Sequence, residues 1–563
     1  MELSTPRISK TALDDLMSIR SQYIDERRRF IDYWKLYAAK VNPIMSDWDE
    51  DTEPGQKAPP SKKDNFDNTG QKASDIFANG MQSAAFGRAV PWISTSPENL
   101  DLKDNKEVAE WLQRADRSLA TELNRTTFYE EGRAFTRCAA DFGTAVMFRD
   151  FSEARALPIY HSQHLKRCLL AEDEFGEVDT LFRDFWMAPS EAVRKFGRDN
   201  LPDSIQRAAD DKQTKKARYI QFIFPKDKYD LDFQSRNDGK PIYSLYAIET
   251  DGITAIMEGG YSTRPFYSWR WSRSLEGDVW GVDSPGMIEY SNMLQVDSMK
   301  KDFQRLVQLA ARPPIKATEG MQAQGVRIEP NAKHFLRPGE DFAPVPITGN
   351  LEGIAAELQD LRKSIRESYY ADFFLTLTAN LERVKTATEA TYIKGEQSAM
   401  LAAMSGRMTV EFLEPAVEDI FGLQLAYGRL PPMPEALKGQ TIKVDLISPL
   451  AQLQKRYMLL NETDEFMARI LKVAEYDPKI MDKVDLDAYA DTIAEAYNQD
   501  RRVVRDLVDV ERIRNARNKA QAMAAAQQLQ NETTKAQASM LAAGDKAPES
   551  GSPVEAMMKG GKG

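Results

Sequence analysis

The chain has 563 residues and a mass of 63.7 kDa, more than one hydrophobic core can organise, so about four domains or fewer large ones with insertions are expected. Apolar residues make up 42% and charged residues 29%, no run approaches the ~18 apolar residues of a membrane span, Met1–Lys10 lacks a signal-peptide core, and two cysteines cannot staple the chain. That composition excludes a secreted, disulfide-rich or membrane-embedded protein and points to a reducing compartment, while the net charge of −11 argues against coating nucleic acid without excluding a surface that lets it slide past.

In chain order, Leu16, Tyr23, Phe30 and Tyr37 recur every seven residues, with Leu13 and Trp34 on the same face, and predict a long helix stopped by Asn42-Pro43. Asp49 to Gly70 is polar and proline-bearing and reads as a loop. Helices follow through Ile76–Ala85 and from Lys106, with Val108, Trp111, Leu112, Ala115 and Leu119 on one face; a further helix through Phe135, Cys138 and Ala139 gives way to a strand, 143–148. From there to Trp271 the texture is mixed α+β, with two-residue alternation at 177–182, 219–224 and 243–248.

Ser284-Pro285 is a hydroxyl cap with proline at the first helical position. Val296, Met299, Phe303, Leu306 and Ala310 then step by three and four residues to Pro313-Pro314, a helix of about 42 Å. Short strand-like pieces (326–328 and 334–336) follow, then a second long amphipathic helix with Leu351, Ile354, Leu358, Leu361 and Ile365 in line. Two long helices thus bracket a small β-rich excursion. Residues 376–385 read as a polar stretch, 386–427 as helix, 441–446 as a strand after Pro431-Pro432-Met433-Pro434, and 479–543 as a helical run free of Gly and Pro. The Gly-, Pro- and Ser-rich end is expected to be disordered.

Little of this resembles an enzyme. His161, His164 and Cys168 offer a loose H-x2-H-x3-C spacing that Cys138 would have to complete for zinc, with Lys166 and Arg167 intervening, so ordinary side chains are the better reading. No phosphate-cradling glycine loop exists: Gly239-Lys240 runs into Pro241. No cofactor and no metal are expected. Trp269-Arg270-Trp271 suits either base stacking or a core where a sheet meets a helix, and the latter fits its Gly281 and Pro285 neighbourhood better. Arg501, Arg502, Arg505, Arg512, Arg514, Arg517 and Lys519 outnumber the acids around them and read as a solvated face or an inter-subunit seam rather than a DNA groove.

Taken in order, Gly259-Gly260-Tyr261, Pro265-Phe266, Arg270-Trp271, Gly281, Ser284-Pro285-Gly286-Met287 and Thr386-Ala387-Thr388-Glu389-Ala390 carry a resemblance. The Asp141-Phe142-Gly143-Thr144 turn, the segment 197–202 and Pro449 fit the same pattern. From about Ile24 to Arg517 the chain resembles the portal (head-to-tail connector) proteins of short-tailed, podovirus-type bacteriophages.

The resemblance implies a helix-rich α+β fold with portal architecture: a wing (1–283), a stem helix (284–312), a clip (313–350), a second stem helix (351–375), a tunnel loop (376–385), wing and crown helices (386–478), crown and barrel helices (479–543) and a disordered tail (544–563). It further implies a non-enzymatic ring of twelve subunits at one capsid vertex, in the virion and, during assembly, the host cytoplasm. That ring nucleates head assembly, conducts double-stranded DNA without sequence preference in packaging and ejection, and joins head to tail. Its implied partners are the terminase motor and tail adaptors through the clip, and the major capsid and scaffolding or internal core proteins; no membrane is involved. Val296, Met299, Phe303, Leu306, Leu358, Leu361 and Ile365 are the expected subunit interface, and Arg383 and Lys385 the cations facing the channel. The competing readings are a nuclease or terminase-type DNA-processing subunit, which would need a carboxylate metal cluster or a nucleotide loop, and a cytosolic coiled-coil scaffold.

Overall fold

The computed structural model describes residues 3–49, 52–53, 65–88, 92–99, 102, 105–152, 155–229, 239–250, 252–317, 338–339, 342–345, 351–379, 404–440, 442–446, 466–496, 505 and 507–544. They fall into two units, Met1–Lys455 and Arg456–Gly563. The fold is α+β and rich in helix. Among the described residues no helix is long and apolar enough to cross a membrane.

The first unit opens with α1 (Lys10–Val41), whose N-terminus is capped by Ser9 Oγ accepting from the Ala12 amide at 3.1 Å. Its apolar stripe serves two cores in turn. Leu13 and Leu16 pack on the five-stranded sheet, while Ile31, Trp34 and Ala38 enter the main core, where the Trp34 indole donates to the Phe142 carbonyl at 3.1 Å. Helices α2 (Thr69–Phe86), α3 (Lys106–Arg125) and α4 (Phe128–Phe142) follow where the periodicity places them.

Strand β1 (Ile93–Pro97) pairs with β12 (Ile442–Leu446), so the chain returns to α3 some 350 positions later. Strands β2 (Thr144–Ser152), β3 (Leu157–Gln163) and β9 (Phe266–Arg270) form a three-stranded antiparallel sheet in the order β3-β2-β9. Strands β4 (Cys168–Glu172), β5 (Val178–Met187), β6 (Ala217–Pro225), β7 (Ile242–Glu249) and β8 (Ile253–Tyr261) form an antiparallel meander in chain order. Helices α5 (Pro189–Phe196) and α6 (Asp203–Asp210) bridge β5 and β6 and cover the face of Tyr219, Tyr246 and Ile248.

Trp269 lies in the core at 1% exposure, near Phe135 of α4, and Arg270 is equally enclosed. Glu411 accepts from Arg270 Nη2 at 2.6 Å, from Nε at 3.0 Å and from the Arg270 amide at 2.8 Å, and Glu172 pairs with the same guanidinium. The aromatic-arginine cluster is therefore a sheet-to-helix core, not a stacking platform. Glu411 sits in a π-helical turn, Thr409–Leu413, ahead of α11 (Glu414–Ala426). Pro415 has no N–H to offer the Glu411 carbonyl, and the ladder widens before it. Nearby, Arg149 Nε and Asp419 Oδ2 stand 2.5 Å apart, both buried, with the Tyr267 hydroxyl donating to Asp419 at 2.7 Å. His164 accepts from the Lys166 amide at Nδ1, and the Cys138 thiol donates to the Thr144 carbonyl, so these two side chains are engaged with backbone.

In the second unit, where crown and barrel helices are expected over 479–543, the described part contains a 3-10 helix (Pro478–Lys483), α12 (Leu486–Ala496) and α13 (Leu507–Gly544). Asp485 explains one break, because its carboxylate accepts from the Asp487 and Ala488 amides and starts a new helix. Arg514 forms a bidentate pair with Asp487, 2.7 Å for each contact. Of the basic cluster, Arg501 and Arg502 lie outside the described residues.

Candidate assembly element: the rooted helix pair

The expected helix from Pro285 is two: α7 (Pro285–Ile288) and α8 (Tyr290–Ala311), separated at Glu289, which leaves the helical conformation at φ −89° and ψ 2°. Ser284 caps the first, its hydroxyl facing the Met287 amide at 3.4 Å. The partner helix is α9 (Leu351–Ser368), followed by α10 (Ala371–Ala379) after the left-handed Tyr370, φ +53°. Residues 376–379, expected as the start of a loop, continue that helix. Glu289 Oε1 accepts from the hydroxyls of Ser364 at 3.2 Å and Ser368 at 2.6 Å, which ties the start of α8 to the end of α9 and makes the pair antiparallel.

The base of the pair is fixed by carboxylates. Asp297 of α8 accepts from Lys40 Nζ of α1 at 2.6 Å and from the amides of Phe66 and Asp67 at 2.6 and 3.0 Å. Asp67 accepts from Arg362 of α9 at 2.6 Å and from the Thr69 amide at 2.8 Å, where α2 begins. Burial pushes the Asp67 carboxyl up, yet the hydrogen bonds from Thr69 and Arg362 and the guanidinium charge outweigh it and hold it below the usual carboxylate range. Deeper in, Asp141 of α4 is fully enclosed and accepts from Ser74 of α2 at 2.6 Å, Asn42 just past the end of α1 at 3.1 Å and Tyr369 at 3.2 Å, with Arg137 Nε 3.4 Å away. Burial raises this carboxyl to about 6, against the opposing pull of Arg137 and the three donors. The end of α1, helices α2 and α4, and the root of the pair thus meet on one side chain.

Of the seven residues expected at a subunit interface, Val296, Leu358 and Ile365 are buried within the chain itself, at 1–3% exposure. That expectation is corrected for these three: their apolar surface is already consumed in rooting the pair. Met299, Phe303 and Leu361 pack partly on the same core and stay half-exposed, as does Leu306. Beyond Phe303 the pair projects from the core, and Val307 and Leu309 are each 43% exposed. At its far end β10 (Ile315–Ala317) pairs with β11 (Phe342–Pro344) and closes the excursion; the expected strands 326–328 and 334–336 lie outside the described residues. Arg383 and Lys385, residues 380–403 and the tail 545–563 also lie outside them.

Sequence reading missed the carboxylate footing. Asp297 was the available signal: it sits beside Val296 on the buried side of an amphipathic helix, where a charge persists only with partners.

The family model described as bacteriophage head to tail connecting protein matches residues 13–504. The "Portal protein" of Salmonella phage epsilon15 is 27% identical over 540 residues, 92% of this chain and 94% of that protein. The "Probable portal protein" of Bordetella phage BPP-1 is 26% identical over 495 residues, 86% of this chain and 87% of that one. A solved structure described as the neck of an empty GTA particle computed with C6 symmetry matches at a TM-score of 0.36 and 10% identity, over 71% of this chain and 86% of that chain. With the family model spanning most of the sequence, the chain belongs to the bacteriophage head-to-tail connecting proteins.

Proposed function

We propose that this head-to-tail connector is the subunit of a portal: a ring, of twelve copies, at one capsid vertex of the virion. Family membership along nearly the whole chain carries the reading. The rooted helix pair supports it, because a conduit under load needs stiff elements footed in a folded body, and Asp297, Asp67, Glu289 and Asp141 supply that footing. The role is structural rather than enzymatic. The helix pair is the stem, residues 313–350 are the clip that meets the terminase motor and later the tail adaptors, and the wing (1–283) faces capsid and scaffolding or internal core proteins. Met299, Phe303, Leu306 and Leu361 contribute apolar contact between neighbouring stems. Arg383 and Lys385 line the channel and meet passing double-stranded DNA through its phosphates, without reading sequence.

Negative-stain microscopy of the purified chain tests this. Rings with a central hole are expected, and a protein that stays monomeric at micromolar concentration overturns the reading. A second arm replaces Arg383 and Lys385 by Ala: rings persist, while DNA retained in assembled heads falls. Unchanged DNA content removes those two cations from the mechanism.

A further inference from the structure

The helix pair distributes charge unevenly between its two members. On the projecting half of α8, Lys301, Arg305 and Gln308 follow one another at four- and three-residue steps, opposite the buried line through Val296, with Arg312 just past the end of the helix, and all four are exposed. Only Asp302 bears the opposite sign there. On α9 the exposed ionisable residues are Glu352, Glu357, Asp360 and Glu367 against Lys363, and Lys363 is already engaged by Glu367 at 3.6 Å.

Opposite charges on two packed antiparallel helices would ordinarily pair across the seam. Here they do not. Among the described residues, Lys301, Arg305, Arg312, Glu352, Glu357 and Asp360 form no ion pair, although the ammonium of Lys301 lies 5.4 Å from the centre of the Phe66 ring. Val307 and Leu309 add exposed apolar area on the basic helix. A basic face on α8 and an acidic face on α9, whose charges at Lys301, Arg305, Glu357 and Asp360 form no ion pair among the described residues, are complementary to one another on a second copy.

Resting on the ring reading above, we infer that the basic face of α8 in one copy docks on the acidic face of α9 in the next, so that charge sets which side of each subunit meets its neighbour. The contact joins two different surfaces, which makes it heterologous, the kind of contact that builds a ring when its rotation closes. Exposed charges of this kind fix partner, orientation and rate of encounter more than affinity, so assembly should slow as salt rises.

The test uses two full-length variants. The first carries Lys301→Glu and Arg305→Glu, making both faces acidic; the second carries Glu357→Lys and Asp360→Lys, making both faces basic. Each alone is expected to lose at least tenfold in the ring fraction seen by size exclusion and microscopy, while its circular dichroism matches that of the unaltered chain. Mixed in equal amounts they should recover rings containing the two variants one to one, because every junction then joins opposite charges. Glutamine at the same four positions gives the smaller loss expected of neutralisation and controls for folding. Rings from either variant alone at the unaltered level, or a mixture of folded variants that fails to recover rings, overturns the inference. A basic face meant for DNA rather than for a neighbour would show intact rings with weaker DNA retention, and that result also overturns it. Failure of the unaltered chain to form rings indicts the portal reading instead.

Discussion

Helices Phe128–Phe142 and Leu507–Gly544 mark two extremes of how this chain makes a helix. The shorter one buries ten of its 15 residues and holds Asp141 wholly inside. The longer, of 38 residues, exposes almost every side chain described, Met523 at 70% and Leu529 at 65% among them. Packing decides the first: its apolar residues gain about 25 cal/mol for each Å² removed from water, and the left-handed Gly143 lets the chain turn straight into β2. Intrinsic propensity decides the second, with Ala, Gln, Glu, Lys and Arg in excess and neither Gly nor Pro before Gly544. A helix well beyond the ~12–15 residues that are marginal in water persists on those terms, with no core of its own.

The sharpest way to break the packed extreme is at its glycine contact. A Cβ on Gly281 would stand 2.0 Å from the Gly143 carbonyl oxygen, and Gly281 also donates its amide to Thr144 at 2.7 Å. The obstacle is backbone, so no side chain can swing aside. Gly281→Val is expected to destabilise the first unit by more than about 4 kcal/mol, the range reserved for severe core damage. Loss of soluble protein or a collapse of the melting temperature is the expected readout; a melt within a few degrees of the unaltered chain contradicts the packing described.

At the other extreme, removing residues 507–563 should leave the first unit almost untouched. Among the described residues its core clusters draw on nothing beyond Val444. Calorimetry should show its transition shifted by less than about 2 °C, below what 1 kcal/mol produces in a domain of moderate size. A larger fall means that the long helix does stabilise the remainder.

What the sequence discloses follows the same division. Helices whose burial imposes a period of three and four residues, such as 69–86 and 106–125, are legible because one face must leave water; strands 217–225 and 242–249 each bury six residues in a row, because α1 lies on one face of their sheet and α5 and α6 on the other. Strand 93–97 was invisible, since its partner lies at 442–446 and no local signal announces so distant a pairing. The helix pair was legible in outline. The break at Glu289 was not, because the side chain that justifies it bonds Ser364 and Ser368, more than seventy positions away. Burial of Val296, Leu358 and Ile365 within the chain was equally hidden: an apolar stripe does not say whether its partner is the same chain or another.

The smallest expected effect probes helix Lys106–Arg125, which lies between the extremes with one buried face. Its Asp116 accepts from the Thr95 amide at 3.0 Å and the Thr95 hydroxyl at 2.7 Å through one oxygen, and so holds the 93–97 strand. Burial pushes the Asp116 carboxyl up to about 7, against those two hydrogen bonds, and no cation pairs with it among the described residues. The unfolded chain titrates near 3.8, so between that pH and about 7 the folded state binds the extra proton. Stability from this group is therefore complete below 3.8 and is lost as pH rises through about 7. Asp116→Asn keeps the accepting oxygen and removes the titration. Compared at matched ionic strength, the variant should gain on the unaltered chain in melting temperature as pH is raised from about 4.5 to about 7.5, and the two should converge in acid. Parallel melting curves across that range would mean that water reaches Asp116 and that the strand is held by its hydrogen bonds alone.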